Sequence, residues 1–203
     1  MRTTSSETYR GYPVNTGTNH DLACNETTLD QFIDILEYTT TKHSRVLVIR
    51  LDIRIPIGSK VSLREKMPRI LETTKRGLNR KRGKNSIDMQ YVWTAEQKEA
   101  EGSEHVHLVL LVNGNAIQNG YRLMSAVEDA VERHIPEANR GLVEFCESNG
   151  NTGILIDRNS PDFEEKCNQA VYAASYLAKT STKEHKAKGA RFSSASRLPS
   201  DWR

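Results

Sequence analysis

Two histidines separated by one residue begin the apolar stretch "SEHVHLVLLV". Successive side chains of a β-strand point to opposite faces, so His105 and His107 are predicted to project from the same face. Their Cα atoms are expected to lie roughly 6.5 Å apart, from a rise of about 3.3 Å per residue. Two imidazoles at that separation can bind one cation. The alternative is a pair of structural histidines at the end of a strand.

A carboxylate beside the histidine pair would favour metal binding over a structural role. If "YVWTAEQ" pairs with "HVHLVLL" around a turn centred near residues 100 and 101, Glu96 lies directly opposite His105. A register shift of one residue would turn Glu96 to the other face. Two histidines and one carboxylate with open coordination positions suit Mn²⁺, and they suit Mg²⁺ where a substrate phosphate completes the shell.

Two tyrosines and a lysine recur at helical spacing in "VYAASYLAKTSTK". On a helix, Tyr172, Tyr176 and Lys179 fall along one stripe. They are either tyrosines packed against a sheet or a phenolic nucleophile with its cation. A tyrosine hydroxyl is protonated at neutral pH, so the second interpretation needs a neighbouring cation or a metal-activated phosphate. Lys179 and the metal predicted at the histidine pair would meet those needs.

The elements that must position these residues are strands mixed with helices. "RVLVIRLDIRIP" alternates with period two, and Arg50, Asp52 and Arg54 share its polar face, which is either solvated or lines a polar groove. Further strands are predicted at "IDMQYVWTAEQ", "SEHVHLVLLV", "GLVEFC" and "TGILID". Helices are predicted at "TTLDQFIDILEY" with Thr28 as N-cap, "SLREKMPRILETTKRGLNRKRG", "GYRLMSAVEDAVERHI" and "PDFEEKCNQAVYAASYLAKTSTK". This order predicts an α+β domain with a largely antiparallel central sheet and flanking helices.

The composition suits one domain with polar ends. The 203 residues predict a flexible N-terminal arm over 1–27, a folded domain over 28–183 and a basic tail over 184–203. Three well separated cysteines favour a reducing compartment. Neither a transmembrane-length apolar stretch nor a signal peptide is present, so a cytoplasmic protein without a membrane partner is expected.

Basic residues are concentrated in two blocks, although the net charge is only +3. Those predicted to hold a nucleic-acid backbone are Lys75, Arg76, Arg80, Lys81, Arg82 and Lys183. The alternative for the same residues is a solvated helix face and a soluble tail.

Three motifs together resemble those of HUH endonucleases. "HVHLVLLVNG" is similar to their histidine–hydrophobic–histidine motif, and "SYLAK" is similar to their tyrosine–x–x–lysine motif. "VLVIRLDIRIP" lies where those proteins carry their first strand-forming motif. The combination resembles the filamentous-phage (inovirus) gene-two-protein-like family of prophage replication proteins, over about residues 40 to 195.

The resemblance implies an HUH-like fold and rolling-circle initiation, in which one DNA strand is nicked at a specific site. The products are a 5′-phosphotyrosine link and a free 3′-OH for a polymerase. His105 and His107 would be metal ligands, with Glu96 as the acidic ligand. Tyr176 would be the nucleophile, and Lys179 would position or neutralise the phosphate.

Two points follow from the same resemblance. Tyr172 fits a second nucleophile, although a single-tyrosine enzyme is equally compatible. The expected partners are single-stranded DNA or a replication origin in a bacterial host cell, with a host helicase and polymerase, because no GxxxxGK[ST] loop is present in this sequence.

Two other functions stay open on the residues alone. The basic blocks also fit a catalytically inactive prophage DNA-binding protein. An RNA-binding domain is a weaker alternative, since the exposed aromatic pattern of an RNA recognition motif is not evident. The nuclease interpretation requires that the late helix lie across the sheet face that carries both imidazoles.

Overall fold

This computed structural model describes residues 2–17, 22–56, 59, 61–80, 85–96, 104–136, 142–146, 152–180 and 192–202. The described part of the chain contains ten strands, four helices and one 3₁₀ turn. The strands are β1 (Thr3–Thr4), β2 (Thr8–Tyr9), β3 (Tyr12–Pro13), β4 (Cys24–Asn25), β5 (Arg45–Arg54), β6 (Gln90–Glu96), β7 (His105–Asn113), β8 (Val143–Phe145), β9 (Ile154–Asp157) and β10 (Ser193–Ala195). The helices are α1 (Glu26–Lys42), α2 (Leu63–Arg80), α3 (Gly120–His134) and α4 (Phe163–Ala174), followed by the 3₁₀ turn Ser175–Ala178. The α+β class predicted from the sequence is confirmed.

Six strands of the described chain form one antiparallel sheet, in the order β10–β6–β7–β5–β8. The sixth strand, β9, lies on the same edge of β5 as β8: β8 pairs with residues 51–53 and β9 with residues 45–48. The predicted largely antiparallel central sheet is therefore confirmed, with β5 and β7 at its centre.

Helices cover both faces of this sheet, because β5 and β7 carry apolar side chains on both sides. Helices α2 and α3 pack on the face that carries Leu51 and Leu108, here called the α2–α3 face. Helices α1 and α4 pack on the face that carries Val48 and Val109, here called the α1–α4 face. None of the described helices is both long and apolar enough to cross a membrane.

The N-terminal segment differs from the flexible arm predicted over 1–27. It forms the four short strands β1 to β4, and its apolar side chains Val14 and Cys24 are buried. Arg10 reaches across to α1, with its guanidinium 2.6 Å from Asp34 Oδ1 and 3.0 Å from Glu37 Oε2. This segment packs on the domain because it carries apolar side chains of its own and complementary charge.

Helix α1 begins earlier than predicted. Asn25, not Thr28, is its N-cap: the Asn25 side chain accepts a hydrogen bond of 3.0 Å from the backbone N–H of Thr28. Asparagine is among the preferred residues for this position because its side chain satisfies an otherwise unpaired N–H.

Part of the predicted C-terminal tail belongs to the sheet. Strand β10 pairs with β6 at the edge, with Ser193 opposite Thr94 and Ala195 opposite Val92. The tail boundary at residue 184 falls in the range 181–191, outside the described residues.

Candidate metal and nucleophile site

The two histidines lie at the start of β7 and project toward the α1–α4 face. Their ring centroids are 4.3 Å apart. The side chain of His107 is 1% exposed and that of His105 is 22% exposed. The pair predicted from strand alternation is therefore present, with one ring buried and the other partly exposed.

The predicted hairpin register is confirmed, since Glu96 on β6 lies opposite His105 on β7. The Glu96 carboxylate nevertheless extends toward the second histidine: its Oε1 lies 3.3 Å from Nε2 of His107. Glu96 is buried, so this carboxylate is part of the polar interior of the site.

A second carboxylate comes from β5. Asp52 lies directly opposite His107, and its Oδ1 is 2.6 Å from His107 Nδ1. Its Oδ2 lies 3.2 Å from Nε2 of His105. One ligand atom from each of Asp52, His105 and His107 lies within 4.8 Å of the others, so these three residues could hold a metal ion. Glu96, the acidic ligand predicted from the sequence, lies beside His107 and outside this group of three.

The charges of the site are coupled. Burial alone would raise the pKa of Asp52, but the imidazoles of His105 and His107 outweigh it and hold the pKa well below its ordinary value. Burial alone would lower the pKa of His107, but the hydrogen bond to Asp52 and the nearby Glu96 carboxylate raise it above its ordinary value. The lowered pKa of Asp52 keeps its carboxylate ionised, and the raised pKa of His107 favours a positive charge beside it.

A thiol completes the surroundings of Asp52. Burial, together with a hydrogen bond to Asp52, raises the pKa of Cys146 to about 12. The thiol therefore keeps its proton at neutral pH and acts as a donor to the carboxylate.

Buried polar atoms without hydrogen bonds are concentrated at this site. Among the described residues, the buried side-chain N and O atoms that lack a hydrogen-bond partner belong to Gln31, Arg50, Thr94, His105, His107 and Trp202. Four of these six residues belong to one region: Thr94 lies opposite His107 on β6, and Arg50 is on β5 two residues before Asp52. Such atoms are rare in native interiors, where an ordered water, an ion or a catalytic role accounts for them.

The imidazole atoms among them fit a divalent cation. Nε2 of each histidine lies close to a carboxylate oxygen but in a poor orientation for a hydrogen bond. Imidazole nitrogens with carboxylate oxygens are a donor set that transition-metal ions such as Mn²⁺ accept. The residues present therefore fit the metal that the sequence analysis predicts.

The late helix is shorter than predicted. Helix α4 ends at Ala174, and a 3₁₀ turn carries Tyr176 toward the sheet. The ring of Tyr176 meets that of His107 edge-on, with centroids 5.0 Å apart and an interplanar angle of 83°. The tyrosine and the imidazoles therefore share one face of the sheet, as the nuclease interpretation requires.

Two cations flank the Tyr176 ring. Lys179 Nζ lies 4.3 Å from the ring centroid, and Cζ of Arg50 lies 4.1 Å from it. Lys179 was predicted from the "SYLAK" motif, whereas Arg50 was not assigned a role. The structure thus adds a guanidinium between the tyrosine and the polar face of β5.

The N-terminal segment holds the 3₁₀ turn in place. Ser175 donates a hydrogen bond of 2.7 Å to the carbonyl of Tyr172 and accepts one of 2.9 Å from the backbone N–H of Asn15. The backbone of Lys179 forms an isolated antiparallel β-bridge with that of Cys24. The turn that presents Tyr176 is therefore secured by residues from the predicted arm.

Other predicted site residues lie apart from this cluster. Tyr172 is 48% exposed near the end of α4. Lys75, Arg76 and Arg80 are exposed on α2, which covers the opposite face of the sheet. Lys81, Arg82 and Lys183 lie outside the described residues.

Sequence reasoning left Asp52 and Arg50 without a role for an identifiable reason. Strand alternation correctly placed both on the polar face of β5, and a polar groove was one of the two interpretations. The missing information was that β5 pairs with β7, which puts Asp52 opposite His107. A cue was available in the three charged residues at period two, Arg50, Asp52 and Arg54, on a strand whose other face is apolar.

Residues 4–195 match the family model described as YagK/YfjJ C-terminal domain. No curated protein and no solved structure matches the chain.

Proposed function

We propose that this chain, which belongs to the YagK/YfjJ C-terminal domain family, is a metal-dependent endonuclease that nicks and rejoins single-stranded DNA through a tyrosine. The finer assignment is an HUH-type initiator of rolling-circle replication of a phage or prophage. It rests on the motifs "HVHLVLLVNG" and "SYLAK" and on the site described above.

The observation that carries the proposal is the meeting of Tyr176 with the histidine pair. The tyrosine ring is in contact with His107, whose neighbours Asp52 and His105 complete a group able to hold a metal ion. A phenol, a candidate cation site and buried polar atoms that lack a partner among the described residues, all in one place, suit covalent phosphoryl transfer. A tyrosine packed only for stability would not need such surroundings.

Each residue has a distinct part in this chemistry. Tyr176 would be the nucleophile. Asp52, His105 and His107 would hold the divalent ion, and Glu96 would add negative charge beside His107. A bound Mn²⁺ or Mg²⁺ would withdraw charge from a nonbridging phosphate oxygen and make the phosphorus more electrophilic.

Arg50 and Lys179 would bind the scissile phosphate. Both carry positive charge against the Tyr176 ring, and Nε of Arg50 is a buried donor without a hydrogen-bond partner among the described residues. Donors placed where negative charge develops stabilise the transition state more than the ground state.

The step conserves atoms and charge. The phenolic oxygen forms a bond to phosphorus, and the bond from phosphorus to the 3′ oxygen breaks. The phenol releases one proton to solvent, and the departing oxygen takes one up to become the 3′-OH. The 5′-phosphotyrosine keeps the energy of the phosphodiester, so the reverse attack by a 3′-OH rejoins the strand.

This function implies particular surroundings. The substrate would be unpaired DNA at a replication origin in the cytoplasm of a bacterial host cell. A host helicase would open the duplex, and a host polymerase would extend the 3′-OH.

The test is covalent capture of DNA. The protein is incubated with Mn²⁺ and 5′- and 3′-labelled single-stranded oligonucleotides that tile the replicon encoding it, and adducts are resolved on denaturing gels. We expect an adduct that retains the 3′ label, and we expect Tyr176→Phe to abolish it. Tyr172→Phe is the matched control, since this exposed tyrosine precedes the 3₁₀ turn.

The outcomes separate the alternatives. If both tyrosine variants together leave nicking intact, the nucleophile assignment is wrong. DNA binding by the wild type without any adduct under Mn²⁺ or Mg²⁺ would instead indicate a catalytically inactive DNA-binding protein.

A further inference from the structure

A basic groove lies between α2 and α3, across the sheet from Tyr176 and the histidines. It encloses about 370 Å³. Its charged lining residues are Arg76, Arg80, Arg122, Asp129 and Arg133. Four arginines from two helices therefore face one space together with a single carboxylate.

The surroundings of the groove add to this positive charge. Burial, and then the charges of Arg69, Arg133, Lys66 and Arg76, lower the pKa of His134. His134 remains a neutral partner of Thr73, whose Oγ1 lies 2.8 Å from its Nε2. Acidic residues are present on the same helices, including Glu72, which lies 3.9 Å from Arg76 on an exposed surface. Such exposed pairs are weak, so Arg76 can exchange this contact for a stronger anionic partner.

The shape of the basic surface favours a long anion over a small one. On α2 the cations run from Lys66 through Arg69 and Arg76 to Arg80, a row about 21 Å long at 1.5 Å per residue. That length corresponds to about six base-pair steps of B-DNA. A free phosphate or nucleotide would use only one end of the row. Arginine also suits a phosphate backbone because its guanidinium binds phosphate oxygens in a bidentate manner.

The position of the groove indicates which DNA it meets. The candidate nucleophile lies on the α1–α4 face, and the groove lies on the α2–α3 face, so the central sheet separates them. Under the proposed function, the strand that reaches Tyr176 would be unpaired, and the DNA beside it would be duplex. We propose that the α2–α3 groove binds the phosphate backbone of duplex DNA. This inference rests on the proposed function for the identity of the polyanion.

The test measures the salt dependence of DNA binding. Fluorescence anisotropy is recorded with a labelled duplex of about 20 base pairs and with a single strand of the same length. The slope of log K against log salt is negative, and each lost phosphate contact reduces its magnitude by about 0.9. For Arg76→Gln/Arg133→Gln we expect the magnitude of the duplex slope to fall by about 1.8, with little change for the single strand.

The control removes the same charge elsewhere. Arg2 directly precedes β1 and Lys166 lies on α4, both away from the groove. The double variant Arg2→Gln/Lys166→Gln is expected to leave the duplex slope unchanged. Thermal melting by circular dichroism checks that both double variants are folded.

Several results would overturn the inference. These are an unchanged duplex slope in the groove variant, an equal loss in the control variant, or a loss confined to the single strand. Displacement of the duplex by polyglutamate as readily as by unlabelled duplex would indicate an acidic protein partner instead. The adduct assay is read separately. If an adduct forms but the duplex slope is unchanged in the groove variant, only this inference is wrong. If the duplex slope falls in the groove variant but no adduct forms, only the proposed nuclease function is wrong.

Discussion

Asp52 lies directly opposite His107 on the neighbouring strand, and its Oδ1 accepts a hydrogen bond of 2.6 Å from Nδ1 of that imidazole. Because an ionised carboxylate only accepts, Nδ1 carries the proton, and in the neutral ring the lone pair is on Nε2. A carboxylate that fixes the tautomer of a metal-binding histidine is a common arrangement. The cross-strand pair thus makes Nε2 the atom of the buried imidazole that could bind a cation.

Replacing Asp52 tests this role. Asp52→Asn removes a candidate ligand oxygen and the negative charge that orients His107. We expect its affinity for Mn²⁺ to fall about 10- to 100-fold, as measured by electron paramagnetic resonance of free Mn²⁺ during a titration. Glu96 lies outside the group of three, so Glu96→Gln is expected to lose less affinity for Mn²⁺ than Asp52→Asn.

The matched control for that titration is Asp157→Asn. Asp157 pairs with Arg45 at the far end of β5, so its amide variant should bind Mn²⁺ as the wild type does. Wild-type affinity in Asp52→Asn would show that Asp52 takes no part in the site.

Arg50 is expected to matter for the rate of adduct formation. Arg50→Gln removes the guanidinium from the Tyr176 ring and from the expected phosphate position, so the single-turnover rate should fall roughly 100-fold. Arg50→Lys keeps a charge but loses the planar contact, so its rate should lie between those of the wild type and Arg50→Gln. Mn²⁺ titration of the same proteins separates this effect from metal loss. A wild-type rate in Arg50→Gln would contradict the assignment.

Acid stability should depend on Asp88. Its Oδ2 lies 2.9 Å from Lys42 Nζ and 2.8 Å from His43 Nε2. Burial alone would raise the pKa of Asp88, but the hydrogen bonds to Lys42 and His43 outweigh it and lower the pKa. A lowered folded-state pKa contributes stability above the unfolded value of about 3.9, and that stability is lost as pH falls through the folded value.

The variant that checks this is Asp88→Asn. Asp88 has a positive φ of 45°, which asparagine tolerates, so the change removes charge with little backbone strain. Urea denaturation between about pH 3 and about pH 7 should show a smaller loss of unfolding free energy toward acid in the variant than in the wild type. Equal pH dependence in the two proteins would argue against the linkage.

Two glycines provide a paired test of packing. A Cβ at Gly153 would lie 2.9 Å from Cγ2 of Ile49 and 3.1 Å from the Val48 carbonyl oxygen, whereas a Cβ at Gly77 meets nothing within 4 Å. We expect Gly153→Ala to lower the free energy of unfolding by about 1–3 kcal/mol through overpacking between β9 and β5. Gly77→Ala should raise the free energy of unfolding by about 0.4–1 kcal/mol, because Gly77 lies inside α2 and alanine reduces the entropy of the unfolded chain. Chemical denaturation of both variants gives the two signs, and the same sign for both would contradict this account.

Local patterns predicted much of the secondary structure. All five predicted strands, among them the long strand that ends before Pro56, and the α3 helix are present, because alternation and helical periodicity are properties of neighbouring residues. The hairpin register with Glu96 opposite His105 was predictable because a short connection leaves few ways to pair two strands. Helix ends were less predictable: α1 begins at a cap provided by Asn25, and α4 gives way to a 3₁₀ turn at Ser175.

The sequence by itself determined that His105 and His107 share one face and that a tyrosine and a lysine occur together near the end of the late helix, because strand and helix periodicity is local. Only the tertiary structure decided which residues meet them. It brought Asp52 and Arg50 from β5, placed Tyr176 on the same face, and put the arginines of α2 on the other. Strand order and helix layering depend on which apolar faces bury one another across the whole chain. Side chains far apart in sequence therefore meet for reasons that no single segment contains.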